Sequence, residues 1–190
     1  MSPRRSLPYV DPMTSRGPLH RLLVGLASSR LVGRLSKTAV WRSTVWKLDP
    51  HLLRLSGGRA STGLGLPTAL LETRGARTGR VRRNGVIYFH DGERVTIIAS
   101  QAGYPRNPAW FHNARANPGV LLGGQPFEAH VVDDEAARAR LWELADRVFP
   151  AFARYRVEAS RHGRTIPILQ LVPHGAPAGV GDTAAHDRHH

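Results

Sequence analysis

The order of apolar runs predicts an α+β fold, an antiparallel sheet or small barrel with flanking helices. Three observations carry it. Strand-like runs follow one another with connections too short for the helical crossover that a parallel pair needs. Asp91-Gly92 and Gly123-Gly124 stand at two of these junctions, and such dipeptides favour hairpin turns. The elements come as helices, three strands, a helix, two strands, helices and a strand, without the alternation of a doubly wound fold.

The elements follow in order. Residues 1–18 are rich in Pro, Ser and Arg and read as a disordered arm. From Leu19, apolar residues at helical spacing with a basic flank predict an amphipathic helix, and helical segments extend over 19–56 with a break at Pro50. Its apolar face packs on its own domain or lies on anionic lipid. Gly57 and Gly58 end it. Strand-like runs occupy 68–73, 84–90 and 94–100, and a short helix over 107–117 has Asn107 as its cap and Pro108 at its first position. "GVLLGG" and "PFEAHVVDD" pair as a second hairpin, and a helix follows, capped by Asp133 or Asp134. A further helix runs from Pro150 to about Ser160, and 165–172 is the last strand. The domain spans 57–173, and 174–190 reads as a disordered tail.

The chain has 190 residues, enough for one domain with a real core, and carries 27 Lys and Arg against 14 Asp and Glu, a net charge of +13. Anionic partners are favoured: nucleic acid, anionic lipid and a phosphorylated small molecule all fit. The absence of cysteine excludes disulfides and thiolate metal sites. The N-terminus lacks a secretory pattern and no run approaches a membrane span, so the expected location is cytoplasmic, peripheral at the inner face of the membrane if the basic helix binds lipid.

Charge is concentrated in "RGARTGRVRRN", residues 74–84, with five arginines among eleven residues between the first two strands. Arg77, Thr78 and Gly79 offer a guanidinium, a hydroxyl and an approachable backbone amide to one phosphate. Taken alone, the run reads better as a solvated basic loop than as a phosphate site. A second contributor is the strand end at Ser100 leading into a helix whose amides at Ala109 and Trp110 are placed for an anion, with Asn113 on the face of Trp110. Asp133, Asp134 and Glu135 are accounted for by a helix N-terminus. The isolated His90, His112 and His130 and the terminal His186, His189 and His190 define no metal site, and Ser100 lacks the glycine-flanked turn of a hydrolase nucleophile.

The stretch from "LPTALLETRGARTGRVRRNGVIYFHDGERVTIIASQAGYPRNPAWFHNARANPGV" through "FPAFARY" to "RTIPILQLVP" resembles the deazaflavin-dependent nitroreductase family of split β-barrel oxidoreductases. The resemblance rests on the G-x-[RK]-[ST]-G turn, the D-G hairpin, the strand-end serine and the N-P-x-W-x-x-N helix. It implies an antiparallel six-stranded split β-barrel with flanking helices that binds reduced coenzyme F420, an 8-hydroxy-5-deazaflavin, and passes hydride to a quinone-like or nitroaromatic acceptor. FMN is the alternative cofactor.

Carried over by resemblance, Arg77, Thr78 and Arg82 contact the coenzyme. Arg83, Asn84, Gly85, Val86 and Ile87 on the strand, Ile98, Ala99, Ser100 and Gln101 at the next strand end, and Ala109, Trp110, Phe111, His112 and Asn113 on the helix complete its wall. Phe152 and Tyr155 match positions beside the substrate pocket, and Ser100 and Tyr155 are assigned as hydrogen-bond donors near the reacting centre. Ala76 and Gln101 replace an arginine and a lysine common among relatives, leaving Arg74, Arg80 and Arg106 as the nearby basic residues. Ile87 and Phe152 replace frequent tyrosines, which makes the pocket more apolar. A homodimer is expected, and nucleic acid is not. The competing readings are a flavin- or lipid-binding protein of the same fold without turnover, and a basic module for membrane or nucleic-acid surfaces.

Overall fold

The computed structural model of the chain describes residues 7–14, 25 and 66–174. The helical segment expected over 19–56 lies outside them except for Gly25, as do residues 1–6 and 175–190.

Six antiparallel strands close into a barrel, with helices on its outside. In chain order these are β1 (Thr68–Arg74), β2 (Val81–Asp91), β3 (Arg94–Ile98), α1 (Ala109–Ala116), β4 (Gly119–Leu122), β5 (Gln125–Val131), α2 (Glu135–Val148), α3 (Ala151–Ser160) and β6 (Ile168–Pro173). Around the barrel the order is β1-β2-β3-β6-β5-β4. The β1–β4 seam that closes it is the shortest ladder, Leu71 opposite Leu122 and Glu72 opposite Leu121, with Gly123 N–H donating to the Leu70 carbonyl at 2.9 Å.

The alternation of β1 decides which face turns inward. Ala69, Leu71 and Thr73 are buried and pair with Val86, Asn84 and Arg82, so these share the barrel face. Val95 and Ile97 of β3, Leu169 and Leu171 of β6, Phe127 and Ala129 of β5, and Val120 and Leu122 of β4 complete the core. Strand β6 is buried on both faces. Outside it, Arg140 of α2 grips Asp91 with two bonds, 2.6 and 2.7 Å, while Gln170 Nε2 donates to the same carboxylate at 2.9 Å. Arg140 is the main reason that the Asp91 carboxyl lies below its usual range.

The glycines of both hairpins have the required conformation: Gly92 has φ +60°, and Gly123 and Gly124 have φ +57° and +81°, the pair of positive angles of a type I′ turn. Asp134, rather than Asp133, caps α2, accepting from Ala137 N–H at 2.7 Å.

Five expectations need correction. β2 begins at Val81 rather than at 84, so part of the arginine run is strand and the connection shrinks to 75–80. β3 ends at Ile98, and Ser100 leads a 3-10 turn, Gln101–Gly103. β6 starts at Ile168 rather than 165, and Pro108, not Asn107, occupies the cap of α1. Residues 7–14, within the segment composition marks as a disordered arm, instead extend the edge of β2 beyond the start of β1: His90 N–H donates to the Val10 carbonyl at 2.8 Å, Val10 N–H to His90 Nδ1 at 3.0 Å, and the Tyr88 hydroxyl to the Pro8 carbonyl at 3.0 Å. Val10 is buried there.

Candidate functional site

The arginine turn is a tight structure. Gly75 N–H donates to the Arg80 carbonyl and Gly79 N–H to the Gly75 carbonyl, both at 2.8 Å, with Gly79 at φ +65°. Asn113 of α1 anchors it from below: its Nδ2 donates to the buried Thr73 hydroxyl at 3.3 Å, and its Oδ1 accepts from Ala76 N–H at 3.0 Å. Asn117 Nδ2 adds a bond to the Arg74 carbonyl at 3.3 Å. Arg77, Thr78 and Arg80 are thereby held out in solvent. Among the described residues, Arg77, Arg80 and Arg82 meet no carboxylate, whereas Arg83 Nε donates to Glu72 Oε2 at 2.9 Å.

The other end of α1 leads back to Ser100. Gln101, Ala102 and Gly103 have φ of +44°, +52° and +78°, a left-handed run that includes two residues with side chains. Such conformations cost about 1–3 kcal/mol each and persist only where surrounding contacts impose them. Two contacts do so. Gly103 lies so close to α3 that a Cβ there would stand 2.7 Å from Glu158 Cβ and 2.9 Å from the Tyr155 carbonyl oxygen. Arg164, whose N–H closes the Schellman end of α3 on the Ala159 carbonyl at 3.1 Å, spreads its guanidinium over the loop. It donates to Asn107 Oδ1 at 2.6 Å, the Tyr104 carbonyl at 2.6 Å, the Ser100 carbonyl at 3.1 Å and the Ala99 carbonyl.

α1 therefore stands between the two features, the Ser100 loop before its N-terminus and the arginine turn on Asn113. Its eight residues span about 12 Å at the usual helical rise. Tyr155 is on α3, the helix against which the Ser100 loop packs; burial is the main reason its phenol is pushed up, opposed by the neighbouring Arg154.

Other candidate residues are dispersed. Arg82, Asn84 and Val86 share the barrel face, while Arg83, Gly85 and Ile87 take the opposite one, so their side chains do not form one wall. Ile98, Ala99, Trp110 and Phe111 are core residues, and Phe152, 2% exposed, packs on Trp142, Phe149 and Tyr155. Ser100, Gln101 and Asn113 are half-buried, and Ala109 and His112 exposed. Arg164 opens the "RTIPILQLVP" motif but is not among the residues the resemblance marks; its signal in the sequence is an arginine just after a helix-ending glycine and before an apolar strand.

The fold is a split barrel with an exposed arginine-bearing turn bonded to one short helix. The chain belongs to the F420H(2)-dependent quinone reductase family, whose model matches residues 47–173. It is 35% identical over 114 residues to an F420H(2)-dependent quinone reductase of Mycobacterium tuberculosis (strain ATCC 25618 / H37Rv), covering 55% of this chain and 72% of the relative. Among solved structures, one described as a domain-swapped dimer is 26% identical with a TM-score of 0.50, covering 66% of this chain and 96% of that one. An F420-H2 dependent reductase (FDR-A) is 28% identical with a TM-score of 0.49, covering 55% and 93%.

Proposed function

We propose that this protein oxidises reduced coenzyme F420 and reduces a quinone-like acceptor, with nitroaromatic compounds as further acceptors. The observation that carries the reading is the arginine cluster: guanidinium groups of Arg77 and Arg80 on a turn tied to α1 through Asn113, and of Arg82 at the start of β2, without carboxylate partners among the described residues. An unneutralised cluster suits a phosphorylated coenzyme with an acidic tail. When bound, the reduced deazaflavin supplies the hydride, and the protein supplies binding, orientation and electrostatics.

In this reading Arg77 and Thr78 hold the phosphate, with Arg80 and Arg82 adding attraction. Gln101 and the loop behind it border the ring. Ser100 and Tyr155 are hydrogen-bond donors toward the acceptor; a phenol with raised pKa stays protonated at neutral pH and so remains a donor. Phe149 and Phe152 beside Tyr155 keep that region apolar and limit access of water. The copy number in solution is proposed to be two, with support from the relative described as a domain-swapped dimer.

The test is turnover of reduced F420 with menadione, against reduced nicotinamide and reduced FMN as donors. Turnover with F420 alone supports the reading; turnover with FMN alone, or binding of fatty acid without any turnover, rejects it.

A further inference from the structure

Among the described residues Arg164 is the one buried charged side chain, 9% exposed. No carboxylate among the described residues accompanies it. All of its partners are neutral oxygens, and all belong to the segment 99–107: the Ala99, Ser100 and Tyr104 carbonyls and Asn107 Oδ1. Burial lowers its pKa, yet an arginine stays charged in proteins, so among the described residues the loop is held by a buried cation whose charge is balanced by carbonyl dipoles.

The geometry explains why the residue is arginine. Nε, Nη1 and Nη2 point along three directions of one rigid plane and reach four acceptors on three stretches of chain. Those acceptors flank the left-handed run Gln101, Ala102 and Gly103 on both sides. The guanidinium itself is fixed to α3, because its backbone forms the Schellman end of that helix. Arg164 thus connects the helix bearing Tyr155 to the loop bearing Ser100.

We propose that Arg164 is a positioning residue for hydride transfer, setting the Ser100–Gly103 turn at a fixed place relative to Tyr155 without touching coenzyme or acceptor. The proposal rests on the reading of the site given above. It predicts that loss of the fork leaves a folded barrel with a displaced turn.

The experiment compares wild type, Arg164→Gln, Arg164→Lys and Arg140→Gln. Readouts are melting temperature, kcat and KM with reduced F420 and menadione, and amide exchange at Gly103 and Tyr104, whose N–H groups donate to the Ser100 and Gln101 carbonyls at 3.0 Å. Displacement by about 1 Å costs on the order of 100-fold in rate, so Arg164→Gln is expected to lose kcat on that scale. Arg164→Lys, charged but not planar, recovers part of it. Both variants exchange faster at Gly103 and Tyr104. Arg140→Gln, which breaks the pair with Asp91 on the outside of the barrel, lowers the melting temperature and leaves kcat unchanged. Wild-type kcat in Arg164→Gln, or unaltered exchange at the two amides, overturns the proposal. Failure of the functional reading shows separately, as a wild type without turnover, and exchange then still decides whether Arg164 holds the turn.

Discussion

Asn113 reaches Thr73 across 40 residues of sequence, its Nδ2 donating to the threonine hydroxyl at 3.3 Å from the face of α1 that meets the arginine turn. The same amide accepts from Ala76 N–H, so a single side chain joins helix, strand and turn.

Replacing that amide separates its structural and electrostatic parts. Asn113→Ala leaves the buried Thr73 hydroxyl and the Ala76 N–H without their partner, a loss of about 1–3 kcal/mol. Melting temperature and coenzyme affinity are both expected to fall. Asn113→Asp keeps an acceptor for Ala76 and for the Thr73 hydroxyl, which can rotate to donate. It is expected to retain most of the stability but to bind F420 more weakly at low salt, because a carboxylate now sits under the proposed anion site. Calorimetry and fluorescence titration across salt concentrations distinguish these outcomes.

Arg77 is exposed and supports nothing in the fold among the described residues. Arg77→Ala is expected to weaken coenzyme binding about 10- to 100-fold, the worth of a charged hydrogen bond, without shifting the melting temperature. Unchanged affinity would remove the turn from the binding site.

Gly103 and Gly79 both have positive φ, but only Gly103 is crowded. Gly79→Ala meets nothing within 4 Å and is expected to cost about 1–2 kcal/mol from backbone conformation alone. Gly103→Ala adds a clash with the Tyr155 carbonyl and Glu158 Cβ and is expected to cost about 2–5 kcal/mol, together with activity. Equal melting temperatures would contradict the close packing of the Ser100 loop on α3.

The arm formed by residues 7–14 responds to pH through His90. Its Nδ1 accepts from Val10, which requires the neutral ring, and burial lowers its pKa. The aromatic neighbours are Tyr9, at 4.4 Å between ring centroids, and Tyr88, at 5.9 Å. Because the folded value lies below the unfolded one, the unfolded chain takes up the proton first, so this contribution is present above about pH 6.5 and is lost as pH falls through the folded value. Exchange at the Val10 amide is expected to rise on acidification from pH 7.5 to 5. His90→Phe should remove the dependence while loosening the arm at every pH.

What was legible in the sequence follows from how local its causes are. Gly123 and Gly124 announce a hairpin because two successive positive angles demand them, and β1 reads correctly because Ala69, Leu71 and Thr73 alternate with outward residues. The start of β2 was hidden because Val81, Arg82 and Arg83 are exposed, so no apolar alternation marks them; they are strand because β1 pairs with them. Asn107 looked like a helix cap by position and instead accepts from Arg164, 57 residues away. The docking of residues 7–14 was invisible for a related reason: its bonds go to the open edge of β2, an opportunity that exists only once the barrel has formed.

The two-pair seam between β1 and β4 bears on how the barrel stays closed. Loss of a few bonds at Leu71, Glu72 and Leu70 turns the closed barrel into a curved strip whose other ladders are intact. Opening the seam breaks the fewest ladder bonds of any strand pair but exposes the buried Leu71 and Leu122, so this contact holds the seam shut more than its hydrogen bonds do. An open strip has two unpaired edges, so the buried Leu71–Leu122 contact also keeps those edges from pairing with other chains.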